Sequence, residues 1–207
     1  MDLAEIPKRA FIVSGQEQPL MKTHRFERST PMGIAFEAAL SELASRKIVR
    51  IPQSASERLP SRGMVMVQGF INGAAFQAPL EPDGKGGHWL EMSDALGEEQ
   101  EGGLGQTLSF VIHPSEVWPE PMIPEDIMEA IQKESLTGQW DGLTTKARWE
   151  WLRWIRATKN PATRKKRIEV ACSKLQNGDK RPCCFNAASC TVTDVSKSGV
   201  LLDDPLL

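Results

Sequence analysis

Between Leu143 and Arg181 the chain reads LTTKARWEWLRWIRATKNPATRKKRIEVACSKLQNGDKR, twelve Lys and Arg against three Asp and Glu in a protein of formal net charge −2. Cations at this density can hold phosphates or carboxylates, and the tryptophans among them offer stacking and cation-π surfaces. The residues placed for an anion or partner site are Arg148, Trp149, Arg153, Arg156, Lys159, Arg164, Lys165, Lys166 and Arg167, around the Asn160-Pro161 corner. The bland alternative is that these cations solvate an outer face and pair with acidic residues elsewhere in the chain.

Catalytic and metal chemistry have much less to work with. His24, His88 and His113 stand far apart, in no HxH, HExxH or Cys/His ligand spacing. The chain has no GxSxG and no GxGxxG after a strand, and Asp83-Gly84-Lys85-Gly86-Gly87 lacks P-loop spacing and reads as a hairpin tip. Cys172 falls on a helix face; Cys183, Cys184 and Cys190 could hold a soft metal or form a redox pair, but they match no zinc pattern and read as reduced thiols. No metal and no cofactor are expected, and an enzyme is the least supported class.

The elements that must position these residues change character along the chain. Residues 1 to 120 carry 11 Lys and Arg against 16 Asp and Glu, whereas residues 121 to 207 carry 14 against 11, so an acidic half precedes a basic one. Residues 1–30 read as a loosely ordered leader with a short strand near Phe11 to Val13. From Gly33 the runs GIAFEAAL, RKIVRIP, RGMVMVQGFI, AAFQAPL, HWLEM and QTLSFVIH alternate at strand period, separated by Gly, Pro, Ser and Asp clusters. Asn72-Gly73 between two such runs supplies the two positive φ angles of a type I′ hairpin turn. Six short strands joined by turns most simply close into a small antiparallel β-barrel, over 31–118. Its aromatic and aliphatic residues suffice to fill the interior; the alternative is a ligand pocket at the barrel mouth lined by Arg62, Asn72, His88 and Trp89.

The signals then switch to a helical domain over 123–182. Pro124-Glu125-Asp126 opens a helix with acids at its positive end, and Asn160-Pro161 caps another. Between them Ala147, Trp151, Trp154 and Ile155 form one buried stripe, with Trp149 on the opposite side among Arg153 and Arg156. Arg164 to Arg167 stand in the first two turns of the last helix, where the macrodipole disfavours cations by about a few tenths of a kcal/mol each. Residues 183–207 read as a tail. The whole is an α+β chain without an apolar run of the ~20 residues that span a bilayer, and the acidic N-terminus lacks a secretory pattern, so a cytoplasmic protein is expected.

Two stretches resemble a known family. IPEDIMEAI, QWDGLT and RWEWLRWIRATKNPATRKKRIEVACSKLQNGDKRPCC resemble the bacteriocin-protection, YdeI/OmpD-associated family, with matches at Arg148, Trp154, Ile155, Lys159, Pro161, Thr163, Arg164, Arg167 and Ile168 and departures at Thr145 and Trp149. The segment from Phe36 to His113 resembles the small β-barrel domain of unknown function that often precedes it. The resemblance implies a role in tolerance of bacteriocins and cationic antimicrobial peptides and implies no catalytic residues. The expected protein is therefore a non-catalytic stress-tolerance protein that binds an unidentified small molecule, peptide or protein. The alternatives are a nucleic-acid or polyanion binder using the hairpin at 146–167, and an enzyme with a site at the barrel mouth.

Overall fold

The computed structural model describes residues 33–96 and 103–203. The leader, with its expected strand at Phe11 to Val13 and His24, lies outside the described residues. All six expected strands form: β1 (Ile34–Leu43), β2 (Arg46–Arg50), β3 (Val65–Ile71), β4 (Ala74–Pro82), β5 (His88–Glu91) and β6 (Thr107–Pro114). They close into an antiparallel barrel in the order β1-β2-β5-β4-β3-β6, with β6 pairing back onto β1 from Ile34 opposite Ile112 to Ala39 opposite Thr107. Short helices α1 (Gln53–Ser56) and α2 (Met92–Leu96) ride on the connections. The β3–β4 turn is the expected Asn72-Gly73 pair, with φ of 49° and 85°, and the Asn72 side chain accepts from the Ser109 amide at 2.9 Å.

Strand alternation sorts the barrel residues to two faces. Val49, Val65, Val67, Phe76, Ala78, Leu80, Leu90, Phe110 and Ile112 point inward and fill the interior, with Phe36 stacked on Phe110 at 4.8 Å. The outward set on β2, β4 and β5 includes Ile48, Trp89 and Glu81, and it is buried as well, because other chain segments cover it.

The helical part follows as α3 (Glu125–Lys133), α4 (Thr137–Asp141), α5 (Thr145–Arg156) and α6 (Pro161–Gln176). Local chemistry sets the ends of the two long helices: the Thr144 hydroxyl accepts from the Ala147 amide, and the Asn160 side chain from the Thr163 amide, each satisfying an otherwise orphaned donor. Ile127, Ile131, Trp140, Trp151, Ile155, Ile168, Cys172 and Leu175 form their common core. Trp151 is wholly buried; at about 25 cal/mol per Å2 over roughly 200 Å2 such a ring gains about 5 kcal/mol before entropy, so it fixes which way α5 faces.

Residues 183–203 are not a loose tail. They end in the hairpin β7 (Ser196–Lys197) and β8 (Val200–Leu201), and Cys190, Val195 and Leu201 join Leu43, Ile48 and Trp89 in a third core cluster on the outside of the barrel. Gly84, at φ 81°, touches this hairpin so closely that a Cβ would lie 2.1 Å from the Gly199 carbonyl oxygen. Asp83 closes the glycine-rich tip by accepting from the Lys85 and Gly87 amides, and its carbonyl accepts from the Leu201 amide at 2.8 Å. Among the described residues no helix is long and apolar enough to cross a membrane.

Candidate functional site

Helix α5 is buried on two sides. Trp151 and Ile155 face the helical core, while Trp149, Arg153 and Arg156, at i, i+4 and i+7, form a second stripe about 200° away. Chain segments cover that second stripe. Arg153 is only 1% exposed and donates to the Ala187 and Ser189 carbonyls at 3.2 and 3.0 Å. Its Nε lies 3.3 Å from Glu81 Oε2, the carboxylate that β4 points outward from the barrel. Arg156 completes the group, with Nη2 2.5 Å from Glu81 Oε1 and Nε donating to Thr191 Oγ1 at 3.0 Å.

Burial alone would raise the Glu81 carboxyl, but the guanidiniums of Arg156 and Arg153 outweigh it and hold the group below its ordinary value. Glu81 is therefore an ionised carboxylate at 3% exposure, stable only because two cations face it. The triad ties β4 of the barrel to α5 and to residues 187–191, and it is the electrostatic hinge of the site.

Around it opens a cleft of about 430 Å3. Glu81, Glu91 and Asp94 of the barrel form one wall, Arg153 and Arg156 of α5 the other, and Met122 and Trp149 an apolar rim. Arg46 reaches Glu91 at 2.7 Å and Asp194 at 3.3 Å. Asp94, at the start of α2, has no ion pair among the described residues. Desolvation, then the neighbouring Glu91 and Glu81 charges, push its carboxyl up to about 6 against the opposing pull of Arg156 and Arg46. One side of Asp94 is open to water, which softens the desolvation; the like charges of Glu91 and Glu81 keep the direction upward. The cleft can thus accept a cationic group at Asp94 beside an apolar surface at Met122, which is 92% exposed.

Residues 120–178 match the family model described as bacteriocin-protection, YdeI or OmpD-associated. Residues 36–112 match a domain of unknown function, DUF1905. The helical part of the chain, residues 120–178, is a domain of the YdeI/OmpD-associated family. No curated protein and no solved structure matches it. The DUF1905 match spans the barrel from β1 to β6 and the YdeI/OmpD-associated match runs from the linker through α6, so the cleft lies where the two domains meet. Thr191, Val192, Thr193 and Asp194, beyond both matches, close it.

Several cations of the YdeI/OmpD-associated domain are engaged within it. Arg148 donates to Glu120 and to the Trp140, Asp141 and Leu143 carbonyls. Arg164 grips Asp126 of α3 through two bonds of 2.7 and 2.8 Å. Arg167 donates to the Trp154 carbonyl at 2.6 Å and lies over the Trp154 ring. Lys166 is 3.8 Å from Glu169. These partners account for cations at a helix N-terminus where the dipole disfavours them. Among the described residues Lys159 and Lys165 make no ion pair. Trp149 is half-buried, donating to the Pro119 carbonyl at 2.8 Å with Trp118 at its edge.

The four barrel-mouth residues do not converge. Trp89 is wholly buried beneath Cys190, Val195 and Leu201 on the outside of the barrel. His88 is buried, its Nε2 3.0 Å from the Gly63 carbonyl. Because a carbonyl oxygen only accepts, Nε2 carries the proton, and burial lowers the tendency of the ring to take a second. Asn72 sits in its turn, and Arg62 reaches the Ser56 and Gly86 carbonyls. The five described cavities of 410 to 680 Å3 are lined by other residues. Cys183 and Cys184 are exposed, and Cys190 is a core residue.

The residues that make the cleft, Glu81, Glu91, Asp94, Arg46 and Asp194, are not among those singled out from sequence. One signal existed: Glu81 occupies an outward strand position whose neighbours Leu80 and Pro82 are buried, an odd place for a carboxylate without a partner.

Proposed function

We propose that the protein is a non-catalytic, cytoplasmic stress-tolerance protein of the bacteriocin-protection type, acting by binding a ligand or partner in the cleft between its barrel and its helical domain. The observation that carries this reading is the cleft itself, with an unpaired Asp94 carboxylate, a charge triad buried beneath it, and Met122 and Trp149 at its rim. That combination suits a cationic, amphipathic peptide, and the description of the helical domain's family points the same way. The carboxylates and arginines deepest in the cleft neutralise each other, which favours binding over turnover.

The test has two arms. A deletion strain should become more sensitive to bacteriocins and cationic peptides, with rescue by the wild-type gene and not by Asp94→Lys. Purified protein titrated with a cationic amphipathic peptide should show a change in tryptophan emission that Trp149→Phe diminishes. Unchanged sensitivity of the deletion strain overturns the tolerance role; a peptide that binds equally to Asp94→Lys overturns the cleft. The polyanion alternative has less to stand on, because Arg148, Arg153, Arg156 and Arg164 already hold carboxylates. An enzyme at the barrel mouth would require a convergence that Arg62, Asn72, His88 and Trp89 do not make.

A further inference from the structure

A second cavity, of about 630 Å3, lies on another side of the α5–α6 corner, against the segment from Cys184 to Gly199. Its charged lining residues are Lys159, Arg167 and Lys197, and no Asp or Glu is among the described residues that line it. Elsewhere on α5 and α6 the arginines face acids, as Arg148 faces Glu120 and Arg164 faces Asp126. Lys159 and Lys197 are exposed and make no ion pair among the described residues. Arg167 gives one N–H to the Trp154 carbonyl, which leaves the rest of a five-donor guanidinium available. The Thr193 and Ser198 hydroxyls, also lining the cavity, make no hydrogen bond among the described residues.

From this we propose that the cavity is a phosphate-binding pocket for a small molecule. Three cations without a counter-carboxylate suit a dianion better than a single carboxylate, and charge-assisted bonds from ammonium and guanidinium are about twice as strong as neutral ones. The hydroxyls add donors for the remaining phosphate oxygens. Trp154 and Phe185 stand in the wall, both half-buried, and offer apolar contact to a ring carried on the phosphate. The pocket is concave and local, and the neighbouring Arg156 and Arg164 are already paired, so it lacks the extended basic track that a nucleic-acid backbone follows. It shares Thr191 and Thr193 with the Asp94 cleft, but its cations are not those of that cleft and the proposal does not depend on that reading.

The experiment is calorimetric titration of the full chain with inorganic phosphate and, separately, phenyl phosphate. Saturable binding is expected for at least one, and tighter binding of phenyl phosphate identifies an aromatic phosphate ester in place of the free ion. Affinity should fall with added salt, and it should fall for phenyl phosphate as pH drops below about 6, where such monoesters lose their second charge. Lys159→Glu with Lys197→Glu should weaken binding at least about tenfold, as removing charge-assisted contacts does. Both lysines are exposed and unpaired, so circular dichroism of this variant should match the wild type; Lys159→Ala with Lys197→Ala gives a second, milder reading. Absence of saturable binding to either probe up to about 10 mM, weaker than the millimolar range of the loosest useful sites, overturns the proposal. So does binding unchanged in both variants, or binding confined to a long single-stranded oligonucleotide.

Discussion

Replacing Glu81 by Gln removes one charge and leaves the shape of the triad nearly intact, which makes it the sharpest probe of how the two domains are joined. Arg153, at 1% exposure, cannot reach water when the carboxylate is gone, whereas the Arg156 side chain, at 34%, can. The loss therefore falls mainly on Arg153, now a buried cation with the Ala187 and Ser189 carbonyls and the Phe185 ring to face but no carboxylate. Breaking a buried pair in this way costs about 3–5 kcal/mol, a large part of the roughly 5–15 kcal/mol that holds a domain folded. Urea unfolding followed by tryptophan fluorescence should show that loss. Glu81→Leu combined with Arg153→Met should be less destabilised than the sum of the single changes by at least about 2 kcal/mol, because the double variant leaves no stranded charge. The pH dependence has a definite sign. Glu81 has a lowered folded pKa, so its contribution is fully present above the unfolded carboxyl value and is lost as pH falls through the folded one. The gap between wild type and Glu81→Gln should accordingly close only in acid, below about pH 4. A destabilisation under about 1 kcal/mol at neutral pH, or additive single and double effects, would refute the reasoning, since either would mean that water reaches Arg153.

Two other changes test neighbouring parts of the argument. Asp94 has a folded pKa raised to about 6, so it opposes folding above that pH and the penalty is relieved as pH falls; Asp94→Asn should stabilise the protein at pH 8 by up to about 1 kcal/mol, allowing for solvent screening. The difference between the two melting curves should vanish below about pH 4, and a stabilisation that persists there would contradict the assignment. Gly84→Ala places a Cβ 2.1 Å from the Gly199 carbonyl oxygen at a φ of 81°, and should lower stability by about 2 kcal/mol or more, through strain and displacement of the β7–β8 hairpin. Measurement by thermal unfolding would show it; a neutral change would mean that the hairpin does not press on the glycine-rich tip.

The barrel was legible because its information is local. Period-two runs, the Asn72-Gly73 turn and the helix cap at Asn160 each act within a few residues, and each falls where the sequence places it. The C-terminal segment was not legible for the opposite reason. Cys190, Val195 and Leu201 are scattered among Ser, Thr and Asp, and they become core only because Ile48 and Trp89 present an outward apolar face more than a hundred residues earlier. No periodicity within 183–203 encodes that pairing.

The basic hairpin joins these two cases. Its periodicity correctly separates Trp151 and Ile155 from Trp149, Arg153 and Arg156, but a period says only that a helix has two faces and not what covers the second. On α5 the second face is covered by Glu81 of the barrel, by the linker at Pro119 and by residues 187–191, so a stripe that reads as solvent-facing cations is a buried electrostatic joint. The partner is a single carboxylate, Glu81, about seventy positions away. Long-range ion pairs leave no periodic trace, whereas their stereochemical signature is sharp: a charged residue on a strand at a position whose neighbours are buried. Glu81 meets that description, and Arg153 meets it on the helix side, two residues from Trp151 with Leu152 buried beside it. The same logic separates cations that hold the fold from cations still available. Arg153 and Arg164 face carboxylates of the chain, whereas Lys159 and Lys197 face a cavity without one, so an unidentified anion has the strongest physical reason to seat between those two lysines.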